Sequence, residues 1–185
     1  MRSREWHKPA EPGTVYWITG LSGAGKTTLG RALYRKLRGA KPNAVFLDGD
    51  ELRGVLGDGL GHSLEDRRRL AMRYARLCRL LADQGHDVVC ATISMFEDVR
   101  RWNRTRIRDY REIYVRAPIA VLRRRDRKGI YRAAARGRLK DVVGVDQPFE
   151  EPRNPDLVVD NDGRQPVADV LREIERALKR RGRRA

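Results

Sequence analysis

The sequence predicts an α/β fold in which a parallel sheet is flanked by helices on both faces. Three observations predict it. Gly20-Leu21-Ser22-Gly23-Ala24-Gly25-Lys26-Thr27 fits the phosphate-loop pattern G-x-x-x-x-G-K-[ST] at every fixed position. Strand-like and helix-like segments alternate along the chain around it. Val88 to Ile93 is apolar throughout, as in a strand covered on both sides.

Each element follows from local pattern. Val15-Tyr16-Trp17-Ile18 is a β-favouring run that leads into the phosphate loop. Thr28 to Leu37 reads as the helix that follows it, with Leu29, Leu33 and Leu37 on one stripe. Ala44 to Leu47 is a second strand. Ser63 begins a long helix with Asp66 as a capping partner three residues on. Its buried stripe is Leu70, Tyr74, Leu77 and Leu81, and Gly85 ends it. Val88 to Ile93 is the third strand, Glu97 to Ile107 a helix, and Glu112 to Val115 the fourth strand. Ile119 to Arg136 reads as mostly one basic helix, and Leu157 to Val159 as the last strand. Val167, Val170, Leu171, Ile174 and Leu178 give a closing amphipathic helix. In such a sheet the site lies at the carboxyl ends of the strands.

At 185 residues one domain is the simplest organisation. We expect it over residues 13–180, between a flexible tail at 1–12 and a basic tail at 181–185. No apolar run is long enough to span a bilayer, and the first residues are polar without a signal-type stretch, so a cytoplasmic protein without a membrane partner is expected. Cys78 and Cys90 lie in apolar segments and read as reduced core residues. The formal net charge is +16, which raises the question of a nucleic-acid partner. The arginines are scattered over 67–69, 100–108, 123–127 and 180–184 with little aromatic interleaving, which disfavours a nucleic-acid groove. The alternatives are an anionic small substrate and an arginine-favouring base composition of the genome.

The phosphate loop carries the first chemistry. Its glycines turn backbone N–H groups toward phosphate, and the helix dipole adds positive charge. Lys26 can reach the β- and γ-phosphates, and the Thr27 hydroxyl can ligate Mg²⁺. Asp48-Gly49-Asp50 follows the second strand, where two carboxylates suit metal and acceptor-hydroxyl handling. Taken alone, Asp-Gly is also a common turn. Arg53 and Arg67 could bind an anionic acceptor. Arg67 stands in the first turn of a helix, where its charge is opposed by the dipole. Intact Lys26, Thr27, Asp48 and Asp50 argue against a nucleotide-binding module that has lost catalysis.

GLSGAGKTT, LDGDELR, GHSLEDR, ADQG, ATIS, RDRKGIYRAA and VVGVDQPFEEP occur in this order from about Val15 to Asn161. Together they resemble adenylylsulfate (APS) kinase. The resemblance implies a P-loop kinase-type fold with a helical lid. It implies transfer of the γ-phosphate of ATP, with Mg²⁺, to the 3′-hydroxyl of adenosine 5′-phosphosulfate. By resemblance, Lys26, Asp48, Asp50 and Ser94 are catalytic candidates, with Thr27 and Asp50 on the metal. Gly20 through Thr28, with Arg125 and Lys128 of the lid, are assigned to ATP. Asp48, Arg53, His62, Arg67, Ile93, Ser94, Lys140 and Phe149 are assigned to the small anionic nucleotide acceptor. A homodimer is compatible with the sequence.

The departures from the family pattern fall on the expected acceptor side. His62 stands where the family commonly has the phenylalanine of a base sandwich, leaving Phe149 as the aromatic half. Leu70 replaces an asparagine, Met72 the first of two arginines, and Glu97 another arginine. The ATP side is intact. An acceptor other than APS is therefore the alternative, for example cytidine diphosphoramidate, a pattern that arises when the donor is kept and the acceptor changes.

Overall fold

The computed structural model describes residues 11–40 and 42–181. Residues 1–10 and 182–185, most of the tails expected at 1–12 and 181–185, lie outside the described residues, as does the side chain of Leu178. In chain order the elements are β1 (Val15–Thr19), α1 (Lys26–Ala40), β2 (Val45–Asp48), α2 (Gly49–Leu56), α3 (Leu64–Asp83) and β3 (Val88–Ala91). They continue with α4 (Glu97–Arg106), β4 (Tyr110–Arg116), α5 (Ile119–Arg125), α6 (Ile130–Ala135), β5 (Leu157–Asp160) and α7 (Val167–Arg181). The five strands form one sheet in the order β2-β3-β1-β4-β5, and every pairing is parallel.

Side-chain alternation along the strands divides the core in two. Val15 and Trp17 of β1, with Val88 and Cys90 of β3, pack against Leu70, Tyr74 and Cys78 of α3 and Val99 of α4. Ile18, Val89 and Ala91 face the other way, onto Leu29 and Leu33 of α1 and Val170 and Ile174 of α7. Both faces are thus covered, which is why β3 is apolar at every position. Cys78 and Cys90 are free thiols in the first of these layers. Among the described residues no helix is long and apolar enough to cross a membrane.

Three elements differ from the sequence expectation, two of them for a local reason. α2 is an unexpected helix. The Asp48 carboxylate caps it by accepting from the Asp50 N–H at 2.9 Å, and Asp50 and Glu51 put negative charge in its first turn. The expected single helix over 119–136 is two helices. Gly129 adopts φ 67°, and the Asp126 carboxylate accepts from the Arg132 N–H at 2.9 Å to start the second piece. β3 stops at Ala91, short of Ile93. The Ser63 start of α3 is as expected: its hydroxyl accepts from the Asp66 N–H at 3.2 Å and donates to the Asp66 carboxylate at 2.7 Å.

The strand order places β1 at the centre. The chain runs from β1 to β2 and β3 on one side, then crosses to β4 and β5 on the other. The reversal leaves a crevice beyond the carboxyl ends of the strands, where the loop after β1 sits.

Candidate active site

A cavity of about 850 Å³ opens at those strand ends. Of the expected site residues, all line it except Gly20, Leu21, Ala24, His62 and Lys140. Gly20, Leu21 and Ala24 form the back of the phosphate loop. Gly20 has φ 149°, and a Cβ there would lie 2.3 Å from the Val115 carbonyl oxygen. Gly25 has φ 97°, and its Cβ would lie 2.4 Å from Asn161 Nδ2. Only glycine fits either position.

Lys26 is 9% exposed and its Nζ donates to the Leu21 carbonyl at 2.8 Å, so the loop holds its own lysine in place. Burial lowers the ammonium pKa to about 8, against the raising pull of Asp50 and Asp48. Below pH 8 the amine is charged in both folded and unfolded chains, and the cost of burying it is fully present. Between pH 8 and the ordinary lysine value the folded chain releases the proton first, so stability rises with pH in that window. Urea unfolding of wild type and Lys26→Met should show the difference shifting toward wild type by up to ~3 kcal/mol across this window. A difference that does not change with pH would refute the buried charge.

Two short stretches supply oxygen donors facing the loop. The Thr27 hydroxyl, in the first turn of α1, donates to Asp48 Oδ2 at 2.8 Å. Asp50, one residue into the cap of α2, pairs with the Lys128 ammonium from the α5–α6 loop. Both carboxylates thus stand at the end of β2 beside the phosphate loop. Ser94 follows β3, is 6% exposed, and its hydroxyl lies 2.8 Å from that of Thr92.

Two arginines, Arg53 and Arg67, also line the cavity. Arg53 NH1 donates to the Gly61 carbonyl at 3.1 Å. Arg67 Nε donates to the His62 carbonyl at 2.9 Å, and its NH2 to the Asp141 carbonyl at 2.9 Å. Burial, with Arg53 beside it, lowers the Arg67 pKa. Burial and the same two arginines lower that of His62. His62 contributes through its backbone: its carbonyl also accepts from Gln147 Nε2 at 3.2 Å, and its ring does not line the cavity. Leu70, Phe96 and Phe149 form an apolar part of the wall.

Two departures on the expected acceptor side find other partners. Glu97 does not line the cavity; its carboxylate accepts from Arg100 NH2 at 2.8 Å, so the negative charge is spent on a neighbouring arginine. Met72 packs with the apolar residues of the α3 layer. Leu70 does line the cavity, at 2% exposure.

Sequence reasoning missed several lining residues. The Tyr131 hydroxyl donates to the Ser22 carbonyl at 2.8 Å, tying α6 to the phosphate loop, and burial pushes its pKa up to about 12. Asn161 Nδ2 donates to the Ala24 carbonyl at 2.8 Å, and its Oδ1 accepts from Arg125 at 3.3 Å. Tyr74 donates to the Gly49 carbonyl at 3.1 Å. Tyr74 reads as a core residue from its spacing, and Tyr131 as part of the lid segment RDRKGIY. Asn161 carried one usable signal, its position just past the last strand.

The model of the family described as adenylylsulphate kinase matches residues 12–160. The chain belongs to the adenylylsulphate kinase family. An adenylyl-sulfate kinase of Myxococcus xanthus is 43% identical over 174 residues, covering 92% of this chain and 93% of the relative. A cytidine diphosphoramidate kinase of Campylobacter jejuni is 40% identical over 164 residues, covering 89% and 95%. The Mycobacterium tuberculosis APS kinase solved in complex with AMPPNP and APS superimposes with a TM-score of 0.83 at 34% identity, covering 91% and 98%. The fold is accordingly that of P-loop kinases, and the chain is a kinase with a hydroxyl acceptor.

Proposed function

We propose that this protein transfers the γ-phosphoryl group of ATP to the 3′-hydroxyl of adenosine 5′-phosphosulfate. The single observation that carries the reading is the cavity itself. Its lining joins an intact phosphate loop to Arg53, Arg67 and Phe149.

In this reading the loop amides and Lys26 hold the β- and γ-phosphates of ATP. Lys128 and Arg125 meet them from the lid. Thr27 Oγ1, Asp48 and Asp50 make an all-oxygen donor set next to the loop, which fits Mg²⁺. When bound there, Mg²⁺ would neutralise charge on the β- and γ-phosphates. Asp48 stands where it can orient the acceptor hydroxyl and take its proton. Phosphoryl transfer is mainly positioning and charge stabilisation, so direct in-line transfer needs no covalent step on Ser94. Arg53 and Arg67 would hold the acceptor's anionic groups, and Phe149 would stack on its base. Lid closure would exclude water and limit ATP hydrolysis. Residues 13–180 form the kinase domain.

Phe149→Ala tests the acceptor end. Stacking of a base on an aromatic is worth roughly 1–3 kcal/mol, so the KM for APS should rise about 5- to 150-fold while the KM for ATP stays level. An unchanged KM for APS would remove Phe149 from the acceptor site.

One observation favours a second acceptor. Leu70 presents an apolar side chain to the cavity where the family resemblance calls for an asparagine, and a site deprived of a hydrogen bond discriminates differently among substrates. The similar Campylobacter jejuni enzyme is a cytidine diphosphoramidate kinase. That nucleotide is the alternative acceptor.

A further inference from the structure

The loop that carries Phe149 is held by α4, and the hold is unusual. Phe96 caps the start of α4 and has no side-chain group to offer the helix N–H groups. Glu150 offers one instead, its Oε2 accepting from the Glu97 N–H at 2.5 Å. The backbone of Glu150 is also fixed on both sides. Its N–H donates to the Met95 carbonyl at 3.3 Å, and its carbonyl accepts from Arg100 NH1 at 3.0 Å.

Arg100 is the centre of this arrangement. It is 2% exposed, and its guanidinium donates to two acceptors and is ion-paired with a third group. Nε faces Glu112 Oε1 of β4 at 3.3 Å, NH2 faces Glu97 Oε2 at 2.8 Å, and NH1 holds Glu150. Glu112, also 2% exposed, is shared with Arg104 at 2.7 Å. A rigid planar fork suits this task, and a lysine could not do it. None of Glu97, Arg100 and Glu150 lines the cavity, but their chain neighbours do: Met95 and Phe96 before the helix, Pro148 and Phe149 before Glu150.

We propose that Glu97, Arg100 and Glu150 form a clamp that fixes Phe149 relative to Met95 and Phe96, and so sets the fit of the acceptor. They are positioning residues. Glu97 thereby acquires a role as the carboxylate that orients Arg100. The link to acceptor binding rests on the proposed function of the Phe149 end.

The test uses full-length Glu150→Ala, Glu150→Gln and Arg100→Lys. Glu150→Gln keeps an acceptor oxygen for the Glu97 N–H. Arg100→Lys keeps a positive charge beside Glu97 and Glu112 while removing the planar fork. Two readouts are taken: amide hydrogen exchange at residue 150, and KM values for APS and ATP. Glu150→Ala and Arg100→Lys should speed exchange at residue 150 and raise the KM for APS about 2- to 30-fold, the range for loss of a helix cap, with the KM for ATP within about twofold. Glu150→Gln should stay near wild type. Unchanged exchange in Glu150→Ala, equal movement of both KM values, or a Glu150→Gln as defective as Glu150→Ala would overturn the clamp. Wild-type protein that fails to use APS would overturn the proposed acceptor instead, and the exchange data would still decide the clamp.

Discussion

Lys26→Ala is expected to lower kcat at least 10²- to 10³-fold, the usual cost of removing one preorganised group that meets developing charge in a water-excluded site. The protein should remain folded. Nζ bonds only the Leu21 carbonyl among the described groups, and burial works against its charge. Removal therefore costs the fold little and should leave Tm level or higher. Steady-state kcat with saturating ATP and acceptor, alongside a thermal melt, checks both halves. A variant that keeps more than about a tenth of wild-type kcat would contradict the placement of Lys26 on the transferring phosphate.

Asp48→Asn is the second large effect. Asp48 meets two donors, the Thr27 hydroxyl through Oδ2 and the Asp50 N–H through Oδ1. The amide preserves shape and one acceptor, so α2 keeps its cap when the oxygen faces Asp50. What is lost is the negative charge and the capacity to take a proton. General-base loss is worth typically 10²- to 10⁴-fold, so kcat should fall in that range while the KM for ATP moves far less. Small and equal effects on both constants would assign Asp48 to capping alone.

Much of this site could be read from the sequence because its parts are local. A phosphate loop is eight consecutive residues, and the strand before it and helix after it follow from periodicity. The Asp48-Gly49-Asp50 carboxylates sit at a strand end that alternation already locates. The missed pieces depend on tertiary contact. α2 is short, and its signal, Asp48 followed by Asp50 and Glu51, rests on the same carboxylates that suit a metal site. The break between α5 and α6 turns on a glycine in the left-handed conformation and on Asp126, both of which a basic amphipathic run conceals. Glu97 looked like a change in acceptor charge because its neighbours in sequence belong to the site. Its partner, Arg100, is one helical turn away and buried against β4, a pairing that only packing reveals. Tyr131 and Asn161 reach the phosphate loop across 109 and 137 residues of chain, so no local pattern could announce them.

The identity of the acceptor is tested directly by one measurement. Wild-type protein with ATP and Mg²⁺ is given APS and cytidine diphosphoramidate in parallel, and kcat/KM is measured for each, with the product located by mass and by the position of the new phosphate. Phosphorylation of APS at the 3′-hydroxyl with kcat/KM of about 10⁴ M⁻¹s⁻¹ or above is expected, with weaker use of cytidine diphosphoramidate. Efficient turnover of cytidine diphosphoramidate with little or none of APS would contradict the proposed acceptor.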